Sequence, residues 1–330
     1  MQPRRTVIVV LLGMLMPLVL GGVHEEPTSV LRMSGDAQEA GPPGAGSGTV
    51  SIRNASYLNG NHSYGTLHLG CRNGVCGSII ATGDLILTVN TLTIDSGASI
   101  IAQDNPTNTQ GVGGSIQLST SWRGNGAGGA GHDASGGSGG GTASSNGGTS
   151  YGVGNETGSN GGAVSDSNGN LVSNGGEGGG RIVIYADTIE IYGSVLASGT
   201  DGDPGYRYNN GSGTGGPGAG GGSGGSIVMR ANTITLGGSI GAVVRADGGD
   251  GGDGANGDCL PGNPCLFMYD GGDGGGGGSG GNIDICASSS SNLLVSSTTT
   301  LSASGGAGGV GGSPYGTGVA GTTGSNGGAG

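Results

Sequence analysis

The feature that most constrains this chain is a ten-residue pattern that occurs three times: LILTVNTLTI (85–94), IVIYADTIEI (182–191) and IVMRANTITL (227–236). Apolar or small residues fill positions 1, 3, 5, 8 and 10, and threonine follows Asn or Asp at position 7. Alternation at period two marks a strand with one buried face. A shorter strand-like piece follows each copy: IIAQD (100–104), VLASG (195–199) and VRADG (244–248). NIDICAS (282–288) with LSASG (301–305) reads as a copy with a degraded middle, and SIQLSTSW (115–122) as one lacking its second half. Gly-Gly introduces each later copy, at 113–114, 179–180, 224–225 and 280–281. Three short strands in a unit of about 20 residues before insertions predict a parallel β-helix, whose coils bury their inner faces only by stacking. The expected fold is therefore all-β. Residues 85–305 are read as a right-handed parallel β-helix, and 50–84 as an N-terminal cap or first coils. The predicted core comprises Leu85, Leu87, Leu92, Ile94, Ile116, Leu118, Ile182, Ile184, Ile189, Ile191, Ile227, Met229, Ile234, Leu236, Ile283 and Ile285. In this register Cys286 falls on the outward face beside Tyr185 and Arg230.

Glycine supplies 87 of the 330 residues. Composition of this kind by itself suggests disorder, and the absence of a strict Gly-X-Y repeat excludes collagen. The glycine has a place in the repeat, however. The tracts 123–180, 200–225, 249–281 and the tail 306–330 each follow a third strand, so they leave a solenoid from one corner and lie side by side. Two readings follow. One is a set of disordered loops. The other is an ordered layer of extended glycine helices with three residues per turn. DGGDGGD favours the second, because Asp247, Asp250 and Asp253 at period three share one face. Glycine is then required because neighbouring backbones approach too closely for a side chain.

The combination GGxIxI…TIxI…VxAxGGxGG resembles glycine-rich secreted β-helix proteins of microbial surfaces, related in architecture to pectin-lyase-like solenoids. The tracts resemble the polyglycine-II layers of phage tail-fibre adhesins. The resemblance covers roughly residues 79 to 310 and implies surface display, adhesion or a structural role, with no transferable catalytic residues.

The N-terminus agrees with export. Arg4 and Arg5 precede the apolar run TVIVVLLGMLMPLVLGG, which reads as a signal peptide over residues 1–22 followed by a flexible linker over 23–49. No later segment predicts a membrane span. Loss of the two signal arginines moves the net charge from −12 to −14 (−12 minus 2), and the chain contains no lysine. Such a chain has no footprint for nucleic acid. Cys71/Cys76 and Cys259/Cys265 bracket the turn-like RNGV and LPGNP, spacings that suit local disulfides in an oxidising compartment, and leave Cys286 over. Sequons stand at Asn54, Asn61, Asn155 and Asn210.

Four functional readings compete. An enzyme of the β-helix polysaccharide-cleaving kind needs clustered acids with a cationic partner on an outward face. Here Arg230 with Asp284 is the nearest approach, and reads as a surface ion pair. Calcium would use Asp247, Asp250, Asp253 and Asp258, although neither the nonapeptide nor the EF-hand spacing is present. Ice binding would use a T-x-T ladder of Thr91/Thr93, Thr233/Thr235 and Thr298/Thr300, interrupted by Glu190. The fourth reading, which the chain as a whole favours, is a non-enzymatic surface protein. It is either an adhesin-like module or a subunit of an extracellular layer or fibre, without a required cofactor. Its partner would be an extracellular polysaccharide, a surface protein or another copy of itself. Tip candidates for contact are Tyr206, Arg207, Tyr208, Leu266, Phe267, Met268 and Tyr269, the first three in DPGYRYNNGSG and the rest in CLPGNPCLFMYDGG.

Overall fold

The computed structural model describes residues 32–34 (backbone), 46–103, 110–118, 125–141, 145–151, 156–206, 213–258 and 269–329. Its first strands are β1 (Arg32–Ser34), β2 (Thr49–Ile52), β3 (Ala55–Tyr57), β4 (Gly60–Leu69), β5 (Cys71–Arg72), β6 (Val75–Cys76) and β7 (Ser78–Thr82). The middle of the chain forms β8 (Asp84–Ile94), β9 (Ser99–Gln103), β10 (Ile116–Gln117), β11 (Val164–Ser165), β12 (Leu171–Ser173), β13 (Arg181–Ile191) and β14 (Ser194–Leu196). The last strands are β15 (Ser226–Leu236), β16 (Val243–Arg245), β17 (Asn282–Ala287), β18 (Leu293–Val295) and β19 (Thr300–Ser302). The protein is nearly all-β, and its two main sheets are parallel apart from β1.

The repeated pattern aligns these sheets. In the larger one the order is β1-β2-β4-β8-β13-β15-β17, with β18 also on β15. Equivalent positions of the repeat pair directly, so Leu85, Ile182, Ile227 and Ile283 form one column and Leu87, Ile184, Met229 and Ile285 another. Leu92, Ile189, Ile234 and Leu293 form a third. The smaller sheet runs β19-β16-β14-β9-β7-β3 and stacks Ile79, Ile100, Val195, Val244 and Leu301. Both inner faces meet in one apolar core, within which Leu87, Ile184, Met229, Ile100 and Val195 are fully buried. Each such side chain contributes roughly 1.5–3 kcal/mol relative to an exposed position.

The first two pieces of each repeat are one bent strand of 11 residues rather than two strands. In β8 the buried positions are Leu85, Leu87 and Val89, then Leu92 and Ile94, so the alternation changes parity at Asn90–Thr91. Asn90 and Asp187 drop out of the pairing at this point while the ladder continues on both sides. The polar residue before the threonine thus occupies an outward bend, where the Asn232 amide donates to Asp187 at 3.2 Å. Each of these three repeats therefore supplies two strands, one to each main sheet.

Three further expectations change. Residues 115–118 do not form a rung of the main sheet, because β8 pairs directly with β13 and leaves no slot between them. Instead β10 joins β11 and β12, and Leu118 packs with Ala127, Val164 and Ala219 in a separate small core that Ile116 borders. Within the expected linker, β1 pairs antiparallel with β2, which occupies a backbone edge that would otherwise be open. Ile283 and Ile285 are only half-buried, since β17 is the last strand of its sheet. Residues 50–84 are first rungs: β4 continues the β8 ladder and β7 the β9 ladder.

Candidate functional site

The glycine tracts are ordered by hydrogen bonds of period three. Tract 271–281 shows the rule. Gly271, Gly274, Gly277 and Gly280 donate to the carbonyls of Val319, Thr322, Ser325 and Gly328. Gly272, Gly275, Gly278 and Gly281 donate to Ala255, Gly252, Gly249 and Ala246. Gly276 and Ser279 donate to Ala127 and Ala130. The carbonyls of this tract accept from three more segments: from Gly218, Gly221 and Gly224, from Gly306, Gly309 and Gly312, and from Gly137 and Gly140. The tract is thus bonded to six neighbours. With three residues per turn, every third residue faces the same neighbour, which is why the partners advance in steps of three.

This packing explains the glycines. A Cβ on Gly275 would fall on the carbonyl oxygen of Ala219, and one on Gly278 on that of Gly222. Both obstacles are backbone, so no side chain can turn aside.

The aspartates at period three line an outer face, and their carboxylates bond to the neighbouring tract. The Oδ1 atoms of Asp247, Asp250 and Asp253 accept from the backbone N–H groups of Ser304, Ala307 and Val310 at 2.7–2.8 Å. Asn256 continues the row to Ser313 at 2.7 Å. Asp270 and Asp273 do the same to Val319 and Thr322 at 2.6 and 2.7 Å. Three residues of such a helix rise about 9 Å, so successive carboxylates stand too far apart to share one cation. The row of Asp247, Asp250 and Asp253, named above as a calcium candidate, joins two tracts through these bonds. Asp258 lies at the end of this tract, where its N–H donates to the Gly213 carbonyl at 2.9 Å.

Of the contact candidates, Tyr206 is exposed, at 53 %. Tyr269 is not a tip residue. It is buried, forms a backbone bridge with Tyr315, and its ring lies 6.4 Å from that of Tyr315. Arg207, Tyr208, Leu266, Phe267 and Met268 lie outside the described residues, as do Cys259, Cys265, Asn155, Asn210 and the signal segment 1–22. Among the described residues no helix is long and apolar enough to cross a membrane. Asn54 and Asn61 are exposed. Cys71 and Cys76 face each other across the β5–β6 hairpin and form a disulfide, with Asn73 and Gly74 taking positive φ at its two-residue tip. Cys286 is an exposed free thiol.

The outward face of the large sheet holds an in-register threonine column, Thr66, Thr91, Thr188 and Thr233. The next outward column is mixed: His68, Thr93, Glu190 and Thr235. Thr300 is not on this face but in β19 of the smaller sheet, and Thr298 precedes it in the turn, so neither extends the T-x-T ladder. Arg230 and Asp284 form a two-pronged ion pair across β15 and β17, with one arm at 2.7 Å. The Arg230 side chain holds the Asp284 carboxyl below the usual carboxylate range.

Two features escaped sequence reasoning. His132 is fully buried, with Nδ1 3.1 Å from Asp133 and Nε2 3.2 Å from the Glu156 carbonyl, and its ring meets Tyr151 edge-on. Burial pushes its pKa below the ordinary histidine value, against the opposing pull of Asp133. Nothing around His132 in the sequence distinguishes it from an exposed histidine. The second is an open cavity of about 470 Å³ at the end of both sheets, lined by Ile283, Ile285, Leu293, Val295 and Leu301. The degraded middle of the fourth repeat was its only signal. No protein-family model, curated protein sequence or solved structure matches this chain.

Proposed function

We propose that the chain is an exported, non-catalytic structural module of an extracellular layer or fibre. In this reading the two sheets are faces of one right-handed parallel β-helix, and the tracts form a polyglycine-II layer along its third side. Constant register from β4 to β15, with strands in sequence order in both sheets, supports the solenoid. The observation that carries the function is tract 271–281 with its six hydrogen-bonded neighbours. A lattice in which backbone bonds to backbone on every side is stiff and nearly free of side chains, which suits mechanical support better than recognition. The Arg4/Arg5 leader and the Cys71–Cys76 disulfide support residence outside the cell.

A second reading, adhesin-like contact with an extracellular polysaccharide or surface protein, is favoured by one observation. Tyr206 stands exposed at the end of an ordered tract, in the segment that continues to Arg207 and Tyr208. The test of the proposal is fractionation of the producing cells combined with electron microscopy of the purified mature protein. Mature protein at the cell exterior and a rod-shaped particle are expected. Retention inside the cell, or polysaccharide turnover abolished by replacing a single acidic residue, refutes it.

A further inference from the structure

The last rung is built differently from the others. The inward aliphatics of β8, β13 and β15 are closed off by a rung on either side, whereas Leu294, Val295 and Leu301 are 58 %, 47 % and 48 % exposed. Ile283, Ile285 and Leu293 are half-buried beside them. Among the described residues no strand pairs with the far edge of β17. Asn282 and Ser288 donate to Gly225 and Ala231, so the even-numbered residues of β17 face β15. Ile283, Ile285 and Ala287 therefore aim their N–H and C=O groups away from the sheet. At the other end of the large sheet, β1 covers β2.

Charge indicates what covers this end. Residues 282–303 contain one charged residue, Asp284, and Arg230 of the preceding strand neutralises it. The chain as a whole carries a net charge of −12, and the outer face of the glycine layer is lined with carboxylates. The last rung is thus a face on which two copies of so acidic a chain approach without repulsion. It is also self-complementary. A twofold axis through Ile285 sets β17 antiparallel to its copy, with Ile283 opposite Ala287 and about six main-chain hydrogen bonds between outward-aimed groups. The same register places Asp284 opposite Cys286, so that two Asp284 side chains do not oppose each other.

From these observations we infer that the protein pairs end to end with a second copy of itself through the edge of β17. This rests on the reading of the two sheets as one solenoid. The pairing removes both open β17 edges, covers the Ile283 and Ile285 side of both apolar cavities, and produces a twofold dimer with the β1 ends outermost. The two Cys286 residues then lie diagonally across the seam, roughly 8 Å apart at Cα. That is too far for a direct disulfide and within reach of a short bismaleimide.

The experiment is sedimentation velocity on the reduced mature protein over a wide concentration range. It is repeated with Ala287→Pro, which removes an outward donor without cutting the β15 ladder, and with Leu301→Asp, which charges the cavity. Hydrogen exchange in 271–281 verifies the fold of each variant. A reversible dimer is expected, cross-linked at Cys286 by the bismaleimide and weakened roughly ten- to a hundredfold in either variant. If Ala287→Pro fails to fold, Leu301→Asp alone decides. A monomer at every concentration overturns the pairing, as does a dimer indifferent to the variants, a polymer that grows without limit, or Cys286 protection that requires a different protein. None of these outcomes bears on export or rod shape, on which the proposed function depends.

Discussion

Replacing Gly275 by alanine adds one methyl group where the layer has no room for it. The new Cβ falls on the carbonyl of Ala219, a fully buried residue whose oxygen accepts the Gly252 N–H at 2.8 Å. On either side, Gly218 and Gly221 donate to Asp273 and Gly276, each at 2.9 Å, and hold the two tracts together. The tracts part only if these links stretch, and two buried groups without partners cost about 1–3 kcal/mol each, or about 2–6 kcal/mol together. Against a total of about 5–15 kcal/mol for a typical domain, that is enough to open the layer locally while the aliphatic columns hold. The assay is hydrogen exchange resolved by residue. Amides in 216–225 and 271–281 should be protected in the parent and should exchange about thirtyfold or more faster in the variant. Gly238→Ala is the control, because its Cβ would meet only Tyr192 at 3.5 Å. Equal protection in parent and Gly275→Ala would refute the close-packing argument, and random-coil exchange in the parent would refute the layer itself.

Asp250→Ala and Asp253→Ala should each cost about 1 kcal/mol and selectively deprotect Ala307 and Val310, whose N–H groups lose their carboxylate acceptors. Exchange at those two amides, compared with Gly276, checks this. Ile184→Ala, in the middle of a fully buried column, should destabilise by about 2–5 kcal/mol in chemical denaturation, and Ile285→Ala at the open end by clearly less. The pKa of buried His132 lies below its unfolded value of 6.5, so the folded state binds fewer protons there. Stability from this site is complete above pH 6.5 and falls as pH drops from there toward the folded pKa. His132→Gln should flatten that part of a pH–stability profile measured by denaturant midpoint.

The alternation in 85–94, 182–191 and 227–236 by itself picked out the aliphatics that line the core, because a period of two gives a strand one apolar face, while Val183 and Val228 on the opposite face are buried as well. It also marked the bend: the step from position 5 to position 8 is the change of parity seen at Asn90. The Asp247, Asp250 and Asp253 spacing similarly identified one face of a threefold helix. What that face does was decided in space, since the N–H groups it binds lie 57 residues further along the chain. The tracts show the same division most clearly. Glycine has no side chain to specify a neighbour, so the six partners of 271–281 follow from where the strands release each tract, which only the assembled sheets determine. Ile116 and Leu118 carry the alternation of a main-sheet strand, yet the direct pairing of β8 with β13 leaves them to a separate small core. Tyr269 reads as a tip because it follows an apolar run, and is buried where its backbone bridges to Tyr315, 46 residues further along. Local pattern chooses the face a residue presents, and the tertiary structure chooses what that face meets.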